Sequence, residues 1–368
     1  MKIVFRVDAS IEIGTGHVMR CLTLADALKQ KGAECYFICR EHSGNLIITI
    51  KERGYEVYPL PLYEQHQNNE QDIFYSKLDH AAWLGVSQEV DADLSIPIIR
   101  LLKPDWVIVD HYAIDSHWEK KLRPYCTHIM VIDDLADRFH NCDLLLDQNY
   151  LPSYSKRYKN LIQKSTQDLL GPDYVLLRDE FVNRNPVNNL CGDSSKNKII
   201  LVNFGGVGNY ELLEKVVKAT VDNPHYDYLI ITGQLSFEEL KKLNTINNGS
   251  AQIIEKASNM ANIMQKSHFA IGACGSTVWE RFSIGLNSAL VEMAINQKPL
   301  LDYLDENNLI DNLGHYKNLT TQFFIGYIRN LNLDDKKYVL RKARIMDLID
   351  GKGAERVSNI ILQGVRRC

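Results

Sequence analysis

The chain has no Cys-x-x-Cys pair and no cysteine–histidine cluster at zinc spacing. Its eight cysteines, Cys21, Cys35, Cys39, Cys126, Cys142, Cys191, Cys274 and Cys368, stand singly. A structural zinc site is therefore not expected, and the cysteines read as small buried hydrophobes. There is no basic surplus: a net charge of −4 over 368 residues argues against a nucleic-acid partner. No apolar run reaches the length of a membrane span, so no stable membrane insertion is expected. The amino terminus enters a strand-like run without the basic and apolar regions of a signal peptide. These absences describe a cytoplasmic protein with reduced thiols that acts on small molecules, and none of them bears on oligomeric state. No Asp-x-Asp pattern stands in a suitable loop either. Asp133 and Asp134 are adjacent, so their side chains diverge in an extended segment, and neither a metal nor another cofactor is expected.

With 45% hydrophobic and 24% charged residues the composition is that of a globular protein, and the length favours two domains of ordinary size. The run Lys2-Ile3-Val4-Phe5-Arg6-Val7 reads as a buried parallel strand ending at Asp8. Val18, Cys21, Leu22, Ala25 and Leu28 recur at helical spacing after it, and Gly32 closes that helix. A strand at 34–39, a helix at 46–53 and a strand at 55–60 complete a βαβαβ opening, the mark of a parallel sheet wound with helices. Residues 61–85 break the rhythm with a polar stretch at 64–71, read as a long surface loop. A helix at 88–102 and strands at 106–109 and 128–132 follow. Polar residues thus recur at three strand ends: Asp8, Asp110-His111-Tyr112, and Asp133-Asp134. In a doubly wound sheet such ends share one edge and converge on one cleft.

Residues 183–197 are rich in turn formers, which marks a domain boundary between 1–182 and 198–330. Beyond it the α/β pattern restarts, with strands expected at 198–204, 228–232, 252–254, 269–271 and 289–291. The expected architecture is therefore α/β, with two Rossmann-like domains facing each other across a cleft. Residues 331–368 are read as helices, the last of them crossing back to the first domain.

Two stretches carry the chemistry. Gly14-Thr15-Gly16-His17 follows the first strand and opens the first helix. Its glycines let the backbone turn close to a ligand, and His17 is the candidate general base. A helix start disfavours imidazolium, which keeps this ring neutral and competent as a base near pH 7. In the second half, Gly275-Ser276-Thr277 opens a helix whose free amides suit a diphosphate. Glu280 lies one turn later, within reach of ribose hydroxyls. Asn296-Gln297 is a polar pair at another strand-to-helix junction. Taken singly, each signal also has a plainer reading: an unoccupied glycine turn, a glutamate favouring its helix dipole, an asparagine N-cap. Trp83, Trp106 and Trp118 read as packing rather than as stacking platforms.

Taken together, the stretches 8–20, 83–92, 109–112, 132–137, 144–149, 170–178, 275–280 and 296–297 resemble, in order, the UDP-sugar hydrolases of pseudaminic acid biosynthesis. Members of that family cleave UDP-2,4-diacetamido-2,4,6-trideoxy-β-L-altropyranose. The resemblance implies a two-lobed GT-B fold, with water as the acceptor and a UDP-sugar as substrate. It places the water-activating base on His17, with Tyr112 and Asn296 as further catalytic residues. Asp8, Gly14, Gly16, Arg20, Gly275, Ser276, Thr277, Glu280 and Gln297 become substrate-binding. Two positions depart from the family pattern. Gly205-Gly206-Val207-Gly208 lacks the usual Gly-Gly-x-Asp acid, which leaves that loop without an assigned role, and Asn287 stands where proline is usual. The rival reading is a GT-B glycosyltransferase with an acceptor other than water.

Overall fold

The computed structural model describes residues 1–62, 78–182, 197–255, 257 and 259–364. The polar stretch 64–71, Cys191, Cys368 and the expected boundary at 183–197, Asn197 excepted, lie outside the described residues. The chain divides into two compact units, one of residues Met1–Leu176 with Lys352–Cys368 and the other of Leu177–Gly351.

The first unit is built on seven strands: β1 (Lys2–Val7), β2 (Glu34–Arg40), β3 (Glu56–Leu60), β4 (Trp106–Asp110), β5 (His128–Ile132), β6 (Leu144–Asp147) and β7 (Gln167–Leu170). They lie in the order β3-β2-β1-β4-β5-β6-β7, with every neighbouring pair parallel. Ile3, Val4 and Phe5 of β1 are fully buried in succession, as a strand covered on both faces requires. The first helix, Gly16–Gln30, buries Val18, Cys21, Leu22, Ala25 and Leu28. The last helix, Gly353–Gln363, contributes Val357 and Ile361 to the same apolar cluster. Lys31 Nζ holds it further, donating to Ser358 Oγ at 2.8 Å and Asn359 Oδ1 at 2.6 Å. The helix Gln88–Leu102 forms as its periodicity predicts, with Pro97 inside it and Ser87 capping its start.

The second unit carries β8 (Lys198–Asn203), β9 (Tyr226–Ile231), β10 (Gln252–Ile254), β11 (Phe269–Ala273), β12 (Ser288–Glu292) and β13 (Asp311–His315). Their order is β10-β9-β8-β11-β12-β13, again all parallel. The strands β6, β7 and β13 were not among those read from the sequence. The first two span only 4 residues each, too few to show a period. The third, Asp-Asn-Leu-Gly-His, has a polar sequence for a strand.

Each sheet has one point where the strand order reverses, between β1 and β4 in the first and between β8 and β11 in the second. The loops leaving these strands are where an open parallel sheet receives ligands. They are also the loops that carry Gly14 to His17, Asp110 to Tyr112, Gly205 to Gly208 and Gly275 to Thr277. The Gly205 loop has a packing role of its own. A side chain at Gly233, just past β9, would meet Gly208 N at 2.7 Å and Gly206 O at 2.8 Å, so these glycines let two strand-exit loops touch through their backbones. Among the described residues no helix is long and apolar enough to cross a membrane.

The first unit also buries an ionisable trio behind β5. His140 is fully buried, with Nδ1 2.7 Å from Glu119 Oε1 and Nε2 3.8 Å from Asp133 Oδ2. Burial alone would discharge the ring, but Glu119 and Asp133 outweigh it and push its pKa up to about 9. A raised histidine pKa contributes stability that is complete below the unfolded value near 6.5 and fades as pH rises through about 9. Urea midpoints are therefore expected to fall between pH 6.5 and 9. A His140→Gln variant, less stable at pH 6, should lose that part of the slope.

Candidate active site

His17 lies in the first turn of the helix Gly16–Gln30, reached from β1 through a turn in which Gly14 adopts φ +80°. Its Nδ1 is 2.6 Å from Oδ1 of Asp110, the last residue of the neighbouring strand β4. Asp110 is fully buried, which by itself favours the neutral acid. The charges of Arg20 and His17 outweigh burial and hold the carboxyl far below its usual range. An ionised Asp110 can only accept, so the 2.6 Å contact assigns the imidazole proton to Nδ1 in preference to the longer approach of Arg20 Nη2 at 3.2 Å. Nε2 is left as the basic nitrogen, with no protein partner among the described residues. His17 as a whole is 8% exposed, so the residue is buried but for a small surface.

Arg20 stands one helical turn on and ties the floor together. Its Nε and Nη2 donate to Asp110 at 2.6 and 2.7 Å, and its Nη1 donates to Asp134 Oδ2 at 3.0 Å. The Tyr112 hydroxyl donates to Asp134 Oδ1. Burial, reinforced by Asp134, keeps that phenol protonated. The Tyr112 ring meets His17 edge-on, with centroids 4.5 Å apart. His17, Asp110, Arg20, Asp134 and Tyr112 therefore form a closed circuit at the edge of β1, β4 and β5. The convergence of three strand ends foretold the place. The pairing of Asp110 with the histidine, and of Asp134 with both Arg20 and Tyr112, is set by tertiary contacts that no local sequence signal carries.

Asp8 takes another part. It is fully buried; its Oδ1 accepts from Arg6 Nη1 at 2.7 Å and from the Arg40 amide at 2.6 Å, and His111 Nε2 lies 3.3 Å from its Oδ2. With no exposed surface, it braces the β1 exit, where the sequence placed it among substrate-binding residues. Behind it Asp91, from the helix Gln88–Leu102, accepts from Arg6, Arg40 and Trp118.

In the second unit the helix Thr277–Ser283 begins directly after β11 and Gly275. Ser276 makes no side-chain cap; the amides of Val278 and Trp279 turn back to the carbonyls of Gly275 and Ser276 at 3.0 and 3.2 Å, whereas those of Gly275, Ser276 and Thr277 have no acceptor among the described residues. Gln297 is brought beside this loop: a side chain on Gly275 would approach its Nε2 to 3.9 Å, while its Oε1 accepts from the Met293 amide at 3.0 Å. Asn296 sits in the 3-10 turn Ile295–Gln297, and its carboxamide makes no hydrogen bond among the described residues. Glu280 Oε1 accepts from Arg178 Nε at 2.8 Å, whereas Oε2 is buried without a partner. Arg281 is fully buried and reaches the carbonyls of Ala273 at 3.2 Å and Asn203 at 3.4 Å, pinning β11 to β8.

Two Rossmann-like units of this topology define a GT-B fold. Solved structures bear this out: MurG of Acinetobacter baumannii matches with a TM-score of 0.67 over 99% of both chains at 13% identity. The UDP complex of Arabidopsis thaliana UGT89C1 matches with a TM-score of 0.66, covering 98% of this chain and 99% of that one, at 12% identity. No protein-family model matches the chain. In sequence it is distantly related to the UDP-2,4-diacetamido-2,4,6-trideoxy-β-L-altropyranose hydrolase of Campylobacter jejuni, 25% identical over 83% of this chain and 96% of that protein. It is similarly related to the spore coat polysaccharide biosynthesis protein SpsG of Bacillus subtilis, 23% identical over 96% of each. An uncharacterized protein of Methanocaldococcus jannaschii is 24% identical over 78% of the chain, which spans about half (54%) of that protein's length.

Proposed function

We propose that the chain is a metal-independent hydrolase that cleaves the anomeric C–O bond of a UDP-sugar, with inversion. We take the sugar to be 2,4-diacetamido-2,4,6-trideoxy-β-L-altropyranose or an epimer of it, as in pseudaminic acid biosynthesis. The observation that carries this reading is the His17–Asp110 pair: a carboxylate fixes the tautomer and leaves Nε2 as a positioned base. Nε2 takes a proton from water, and the water oxygen attacks C1 as UDP departs from the opposite face. Asp110 stabilises the imidazolium that forms. UDP is a good leaving group, so the charge that develops needs donors rather than an acid, and the uncapped amides at 275–277 supply them. In this reading Glu280 Oε2 accepts from a ribose hydroxyl, and Tyr112 and Asn296 position the sugar or the water. The named activity of the Campylobacter relative supports the substrate.

The test is to incubate the purified protein in ¹⁸O-labelled water with a panel of UDP-2,4-diacetamido-trideoxyhexoses, following UDP and free sugar by NMR. Label on the sugar C1 oxygen, in the inverted anomer, is expected. Label on UDP would show attack at phosphorus, and no UDP release from any sugar of the panel would refute the reading. A second reading, transfer to a hydroxyl acceptor, draws on solved structures of the same fold, the glycotransferase of kitacinnamycin and the calicheamicin glycosyltransferase CalG4. UDP release that depends on an added acceptor would favour it.

A further inference from the structure

The sequence holds four tryptophans, and three of them, Trp106, Trp118 and Trp279, are at most 2% exposed. Trp83 differs, being partly open to solvent. It belongs to the 3-10 turn Ala81–Leu84, and its ring stacks on Tyr112 at 5.7 Å and 26°. Tyr112 in turn meets His17, so Trp83 lies two ring contacts from the candidate base. His80 closes the group, edge-on to Trp83 at 4.4 Å and to Tyr112 at 5.3 Å, with its Nδ1 buried and unpartnered.

The floor beside this wall has few donors left to offer. Arg20 spends three of its N–H groups on Asp110 and Asp134, and the Tyr112 O–H donates to Asp134. A sugar hydroxyl drawn against such a surface loses water without gaining a partner, whereas a methyl group gains an aromatic face. We infer that Trp83, flanked by His80, is the specificity-determining surface of this site, receiving the methyl-bearing edge of an N-acylated, 6-deoxygenated sugar. The inference rests on the proposed reading for its ligand, and on the aromatic contacts for its place. It alters the sequence-based view of Trp83 as packing alone.

Because the other three indoles are buried, acrylamide quenching of intrinsic fluorescence reports Trp83. The probes are free 2,4-diacetamido-2,4,6-trideoxyaltrose, free N-acetylglucosamine and UDP, each added to the wild-type chain. The diacetamido sugar is expected to shield Trp83, and the other two are not. In calorimetry on the slow-turnover His17→Asn background, Trp83→Leu should weaken the corresponding UDP-sugar by roughly 10- to 200-fold, the range for lost hydrophobic pocket contacts, while leaving UDP affinity within about 3-fold. Trp83→Phe should recover most of that loss. Shielding by UDP and not by the sugar overturns the inference, as does an unchanged ratio of UDP-sugar to UDP affinity in Trp83→Leu. If Trp83→Leu fails to fold, shielding in the wild type still decides. The two readings fail separately. Sugar shielding without UDP release removes hydrolysis and keeps the specificity surface, whereas UDP release without shielding does the reverse.

Discussion

Replacing His17 with asparagine is expected to lower kcat by about 10²- to 10⁴-fold, the usual worth of a positioned general base, with UDP affinity close to wild type. Asparagine keeps a polar side chain on the first turn of its helix but has no basic nitrogen to take a proton. The loss falls on an interaction made only as the proton moves, so kcat and kcat/KM should drop together. Asp110→Asn is the companion variant. An amide beside Nδ1 no longer dictates which ring nitrogen holds the proton, and it removes the charge that the imidazolium and Arg20 both face. Its rate should fall nearly as far as that of His17→Asn, and the double variant should be little worse than either single one, because the two residues act as a unit. Steady-state assays on the UDP-sugar and calorimetry with UDP read both effects. Near-wild-type turnover in His17→Asn would remove the residue from the chemistry.

The second large effect is on stability. Asp91 is fully buried and accepts from Arg6 Nε at 3.0 Å, Arg6 Nη2 at 2.6 Å, Arg40 Nη2 at 2.6 Å and Trp118 Nε1 at 3.0 Å. Arg6 and Arg40 are themselves fully buried, so Asp91→Ala leaves two guanidinium groups short of a counter-charge. Removing one partner from such a buried network costs about 3–5 kcal/mol. Asp91→Asn, which keeps the shape and one acceptor, should cost less. Urea denaturation at constant pH separates the two variants. A loss below about 1 kcal/mol in Asp91→Ala would mean that the network is not the bracing element described here.

Much of the architecture was legible because its signals are local. The apolar run of β1, the 3.6-residue spacing over the helix Gly16–Gln30 and the glycines that end helices are properties of a few neighbouring residues. The restart of the α/β pattern at β8 is of the same kind. What escaped was either short or non-local. The strands β6 and β7 have 4 residues each, and β13 hides behind polar residues. Asp91 shows the second problem clearly: a carboxylate in a helical stretch reads as solvent-facing until two arginines from other strands are seen to meet it. The same holds at His17. The strand-end rule placed Asp110 on the right edge, but only the 2.6 Å contact shows which carboxylate the ring leans on. The helix-start argument for a neutral ring left that buried carboxylate out. Trp83, read together with Trp106 and Trp118, had no sequence feature to set it apart from them.

The helix Gly353–Gln363 lends Val357 and Ile361 to the core of the first unit, although the chain has by then passed through the whole of the second. During synthesis, residues 177–351 emerge before the segment that completes the earlier unit. The usual amino-to-carboxyl order of domain folding is thereby reversed for final closure. The second unit has all its residues first, while the first unit, with all seven strands of its sheet already made, waits for its last helix. A ribosome-bound chain cut at residue 351 and extended by a linker long enough to clear the exit tunnel should therefore hold a protease-resistant second unit and a first unit that is still open to cleavage.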